Sequence, residues 1–182
     1  MIDIKFRIRF VGMITVCTGG IMTQINHRLF DAFREDHAIL GRGLHELRSY
    51  VVADDVHGLQ AAAEKLDRAA GGHIAFEEED FYPALKAFLS AAEVEDMYAE
   101  HADGARTISL IAELDSSRTL QASQKQRLLE RIDRMQQHVS ECGELFGAMG
   151  GLDEASKDQL MNRLSYWRDH APTWTGFAFG HK

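Results

Sequence analysis

Apolar residues recur at three- and four-residue intervals along most of this chain, and the stretches over which they do so predict four long helices. From about Thr23 to Val52, one stripe holds Ile25, Leu29, Phe33, Leu40, Leu44, Leu47 and Val51. Asp54 and Asp55 interrupt it. A second stripe, from about Val56 to Leu89, carries Leu59, Ala63, Leu66, Ala70, Phe81, Leu85 and Phe88, with Pro83 expected to bend the helix. A third, from about Val94 to Leu114, carries Val94, Met97, Ala105, Ile108 and Ala112. After a turn at Asp115, Ser116 and Ser117, the capping-box spacing of Ser123 and Gln126 opens a fourth helix. Its stripe runs through Leu128, Ile132, Met135, Cys142, Leu145 and Met149 until Gly150 and Gly151 end it. A fifth helix is predicted from about Asp153 to Arg168 with Leu160, Leu164 and Trp167 inward, and the aromatic tail of Trp174, Phe177 and Phe179 is expected to pack as a cover.

The pattern predicts an all-α fold, an up-down four-helix bundle with an additional C-terminal helix, because short links force successive helices antiparallel. Residues 23–150 would form the bundle and residues 151–182 the last helix and tail. Residues 1–22 differ in character: Lys5, Arg7 and Arg9 precede an apolar run from Phe10 to Val16. That run imitates a signal peptide poorly, being broken by Thr and by Gly19-Gly20 and too short to span a bilayer. A flexible leader is expected, with Met22 as an alternative start.

Polar residues sit where the stripes should be apolar. His37 lies between Phe33 and Leu40, His73 and Glu77 between Ala70 and Phe81, His101 between Met97 and Ala105, and His138 between Met135 and Cys142. His37 and His73 are equidistant along the chain from Asp55, and His101 and His138 nearly so from Arg118, so antiparallel packing brings each pair to one level. His73 and Glu77 are one turn apart on the same face, about 6 Å along the axis. Imidazoles and a carboxylate converging in a core would cost several kcal/mol in desolvation without partners, and a metal ion removes that cost. The candidate ligands are His37, His73, Glu77, His101 and His138. Cys142 is either a small buried apolar residue or a thiolate beside the metal. His45 is a reserve ligand, and Glu78, Glu79 and Asp80 read as a solvated face from which one carboxylate could hold a ligating imidazole. Gly41, Gly43, Gly71 and Gly72 suggest close helix approach.

Composition narrows the function. The 182 residues suit one domain, 45% are hydrophobic and only 2 are proline. A net charge of -8 without a basic stripe argues against nucleic acid, and no segment suits a membrane. Two cysteines are too few for a disulfide framework and point to the cytoplasm.

The segments Asp36-His37-Ala38-Ile39-Leu40, His73-Ile74-Ala75-Phe76-Glu77-Glu78-Glu79-Asp80-Phe81-Tyr82-Pro83 and Glu100-His101 resemble the hemerythrin-like, or HHE cation-binding, family over roughly Thr23 to Met149. The resemblance implies a non-haem di-iron centre in which His37, His73 and Glu77 hold one iron, Glu77 bridges, and His101 and His138 serve the second. Two departures stand out. Ala105 replaces a further His or Glu after the third-helix histidine, and Cys142 and Gly143 replace an acidic residue after His138. A mononuclear or lopsided site is therefore open. The resemblance implies a protein that binds or senses oxygen, peroxide or nitric oxide. The alternative is a metal-dependent regulatory or interaction module holding mononuclear iron or zinc, and a weak oxidase or peroxidase ranks third, since no separate acid, base or nucleophile is evident. Protein partners and oligomeric state are not legible.

Overall fold

The computed structural model describes the backbone of residues 23–141 and 145–180, with side chains from Arg28 onward in those ranges except Phe146. The expectations for the leader and for Cys142 lie outside the described residues. Among the described residues there is no strand. The helices are α1 (Thr23–Ala53), α2 (Val56–Phe76), a π-helical turn (Glu77–Phe81), α3 (Tyr82–Leu85), α4 (Ala91–Ala112), α5 (Ala122–Glu141), α6 (Leu145–Gly150), α7 (Glu154–His170) and α8 (Trp174–Gly180).

Four of them make the bundle: α1 packs on α2 and α5, and α4 packs on α2 and α5. Asp54 and Asp55 make the first hairpin possible. Asp54 takes φ 62°, a left-handed conformation that Asp tolerates better than most residues, and Asp55 caps α2 by accepting from Gly58 N at 2.8 Å. Asp54 Oδ1 also accepts from Leu120 N at 3.0 Å, tying this hairpin to the link between α4 and α5.

The apolar core comes in two parts. One contains Leu40, Leu44, Ala70, Ile74, Ala105, Ile108, Ile132 and Met135; the other contains Leu29, Phe33, Phe76, Phe81, Val94 and Leu145. On α1 the changeover falls between Phe33 and Leu40, on α4 between Val94 and Ala105, and on α5 past Met135. His37, His101 and His138 occupy those gaps, so the histidines form a polar layer between two apolar ones.

The second helix differs most from the sequence pattern. Pro83 has no N–H to give Glu79 O, so a regular ladder cannot run through this point. The chain takes a wide turn instead, closed by Tyr82 N donating to Glu77 O. The extra residue turns both Phe81 and Tyr82 fully inward and ends the predicted stripe early, leaving Phe88 48% exposed. Ala112 is likewise exposed, with Ile111 buried in its place. Two helix starts differ from the spacing as well. Ser90 and Glu93 form a complete capping box that starts α4 at Ala91, ahead of the expected Val94. At α5 it is Gln124 that reaches back to Gln121 N, at 2.9 Å, so Ser123 and Gln126 are not the cap.

The fifth helix is α7, capped by Asp153 accepting from Ser156 N at 2.7 Å. It packs on α1 and α2, and α8 packs on α2 and α4. With the bundle on one side and this C-terminal arm on the other, α2 is buried nearly all round from Ala70 to Phe76. Glycine permits the fit: a Cβ on Gly71 would collide with Pro172 O, and one on Gly72 would lie 2.9 Å from Trp167 O. Gly43 likewise lies against Leu66, whereas Gly41 has only Val139 at 3.9 Å from where its Cβ would be.

Gly71→Ala should therefore destabilise the metal-free protein by about 2 kcal/mol or more in urea unfolding. Gly41→Ala, in open helix, should be neutral or add up to about 1 kcal/mol. Equal effects of the two would contradict this packing.

Candidate metal centre

Each bundle helix supplies one imidazole to the polar layer: His37 from α1, His73 from α2, His101 from α4 and His138 from α5. Glu77, the first residue of the π turn, is 1% exposed and lies among them. Donor atoms of His37, His73 and Glu77 all lie within 4.8 Å of one another, and those of Glu77, His101 and His138 do the same. Glu77 divides its oxygens between the two groups. Oε1 is 3.4 Å from His73 Nε2 and 3.9 Å from His37 Nε2, while Oε2 is 3.2 Å from His101 Nε2. His101 Nε2 and His138 Nε2 are 3.1 Å apart.

The other ring nitrogens face acceptors. His37 Nδ1 donates to Phe33 O at 3.0 Å, His101 Nδ1 to Glu78 Oε1 at 3.0 Å and His138 Nδ1 to Glu100 Oε2 at 2.6 Å. His73 Nδ1 is 3.4 Å from Asp36 Oδ2. Acceptors at Nδ1 fix the ring orientation and leave each Nε2 lone pair for the interior. Asp36 is itself held by Arg168 of α7 at 2.6 Å, and Asp80 on the π turn accepts from Arg163 at 2.8 Å and from Trp167 at 2.6 Å. The C-terminal arm thus braces the residues behind the site.

Charge follows this geometry. Burial would push the Glu77 carboxyl up, but His73 and His101 outweigh it and hold the group well below the usual carboxylate range. Burial also opposes protonation of His73 and His101; Glu77 with Asp36 overcomes it at His73, raising it to about 9, and Glu77 with Glu78 overcomes it at His101, raising it to about 8. At His37, burial and the charge of His73 prevail, lowering it to about 4. His138 is lowered as well, by burial and by His101. Without metal, each pair of rings therefore keeps one proton beside the shared carboxylate.

A cation fits these residues better than protons do. His73 Nε2 and Glu77 Oε1 are buried facing each other at 3.4 Å, and neither makes a hydrogen bond. Leaving such atoms unpaired costs about 1–3 kcal/mol each, and the two together on one nitrogen-oxygen donor set point to an ion. Beside the donors lies a largely enclosed cavity of about 10 Å³, lined by His37, Glu77, His101 and His138 together with Leu40, Leu44, Ile74, Met135, Val139 and Trp174.

Five of the six residues singled out in the sequence are brought together here, and Cys142 lies outside the described residues. His45 is exposed, away from the layer. Ala105 is fully buried and offers no donor. The sequence pattern missed Tyr82, whose hydroxyl is 3.2 Å from His101 Nε2, because only the π turn brings it inward. It also missed the supporting roles of Asp36 and Glu100, each the immediate predecessor of a candidate histidine.

Residues 28–160 match the hemerythrin HHE cation binding domain. The chain belongs to this family. No curated protein and no solved structure matches it. The hemerythrin match contains all five converging residues, and stops inside α7, ahead of Arg168 and Trp174. Among the described residues no helix is long and apolar enough to cross a membrane.

Because His73 and His101 hold protons at pH 7 and a cation must displace them, metal uptake by this hemerythrin-family chain should release about two protons per chain. Raised values mean that apparent metal affinity should climb as pH rises from 6 towards 9 and then level off. Calorimetry in buffers of different ionisation enthalpy measures both, and pH-independent uptake would contradict the charge pattern. Asp36→Asn should weaken metal binding about tenfold by removing the charge behind His73.

Proposed function

We propose that this protein holds two non-haem irons, one on either side of Glu77, and binds a small ligand such as oxygen, peroxide or nitric oxide beside them. The observation that carries the reading is the division of Glu77: one oxygen faces His37 and His73, the other His101 and, next to it, His138. A carboxylate shared in this way suits two cations, and each would have two imidazoles and one carboxylate oxygen. Iron in such a set would supply a redox-active Lewis acid with coordination positions left for a ligand. Tyr82 makes the His101 side richer by one oxygen, so the two sides are not equivalent.

The chain's own part is to hold and to exclude. Phe33 O, Asp36, Glu78 and Glu100 orient the rings, the two apolar layers keep bulk water out, and the cavity admits a guest about the size of one water molecule. Among the described residues no acid or base apart from the donor set lines that cavity, which favours binding or sensing over turnover. A cytoplasmic setting, which keeps thiols and ferrous iron reduced, suits this role.

Metal analysis and visible absorption of purified protein test the proposal. About two irons per chain are expected, with an absorption band in air that fades on deoxygenation. His73→Ala combined with Glu77→Ala should abolish metal binding while far-ultraviolet circular dichroism stays helical. A colourless protein with one tightly bound zinc would support the regulatory-module reading instead, and full metal stoichiometry in the double variant would refute the ligand set.

A further inference from the structure

The C-terminal helix brings one polar group to the cavity that the metal-binding residues do not use. Trp174 is 1% exposed and lines the cavity beside His37, Glu77, His101 and His138. Its Nε1 is buried without a hydrogen-bond partner. The remaining lining is Leu40, Leu44, Ile74, Met135 and Val139, whose side chains offer no oxygen or nitrogen acceptor. The indole is held firmly. Asp67 of α2 accepts from both Thr175 N and Thr175 Oγ1 at 2.8 Å, and Pro172 sits flush on Gly71. On α4 the benzo edge of the indole lies against Gly104, where any Cβ would strike it.

A tryptophan serving only as a plug would seat its N–H on a carbonyl or leave it in water, since burying an unpartnered donor is costly. Trp167 does the ordinary thing, donating to Asp80 at 2.6 Å. We propose that Trp174 Nε1–H is the hydrogen-bond donor to the small ligand in this cavity, so that α8, from beyond the family match, selects for guests that accept a hydrogen bond. The inference rests on the proposed metal centre, and adds a ligand-binding residue outside it.

The test uses fluoride, an accepting probe about the size of one water molecule. In the iron-loaded full chain, Trp174→Phe should keep its iron content while fluoride, followed by the change it makes in the visible absorption, binds about tenfold more weakly. In zinc-loaded wild-type protein carrying nitrogen-15 indoles, fluoride should move the Trp174 Nε1–H resonance and leave that of Trp167, already bonded to Asp80, in place. Unchanged fluoride affinity in a fully iron-loaded Trp174→Phe variant, or an unmoved Trp174 resonance at saturating fluoride, would overturn this assignment and leave the metal centre standing. A wild-type chain that takes up no metal would overturn both.

Discussion

One buried carboxylate placed among four imidazoles is the constraint from which the rest of this structure follows. Glu77 cannot stay charged in an apolar interior without compensation, and here compensation comes from rings on four different helices. That requirement fixes the level at which the helices meet. A slip of one residue on any helix would rotate its histidine about 100° off the inward stripe and leave the charge unmet. The two apolar layers provide the burial that holds the bundle together, while the polar layer between them sets its register.

The second consequence is asymmetry around α2. A helix that supplies both His73 and Glu77 needs support from outside the bundle as well as inside, and α7 with α8 gives it. Gly71 and Gly72 let the arm lie directly on the helix backbone, Arg168 holds the carboxylate behind His73, and Arg163 and Trp167 hold Asp80 on the π turn. Packing, hydrogen bonding and site geometry therefore converge on one stretch of chain, Ala70 to Tyr82. The arm also contributes Trp174 to the wall of the cavity, so the elements that stabilise the site also shape the space beside it.

Much of this was legible in the sequence because a helix converts spacing into direction. The stripes on α1, α4 and α5 locate His37, His101 and His138 without ambiguity, since each replaces an apolar residue in an otherwise regular pattern. What spacing could not convey is any departure from 3.6 residues per turn. Pro83 announced a disturbance but not its form, and the inserted residue that carries Tyr82 inward and Phe88 outward follows from a local backbone rearrangement. Partnerships between distant segments were equally hidden. Nothing near Gly71 foretells Pro172, and nothing near Asp36 foretells Arg168; those pairings exist only once the arm has folded back. Ala105 offers no further donor, and the oxygen available on that side comes instead from Tyr82.

Anomalous diffraction at the iron edge, on crystals of the iron-loaded chain, tests the central claim most directly. The account requires two anomalous peaks flanking Glu77, one between Oε1 and the His37–His73 pair, the other between Oε2 and the His101–His138 pair. A single peak on one side, or iron found only among carboxylates at the surface, would contradict it.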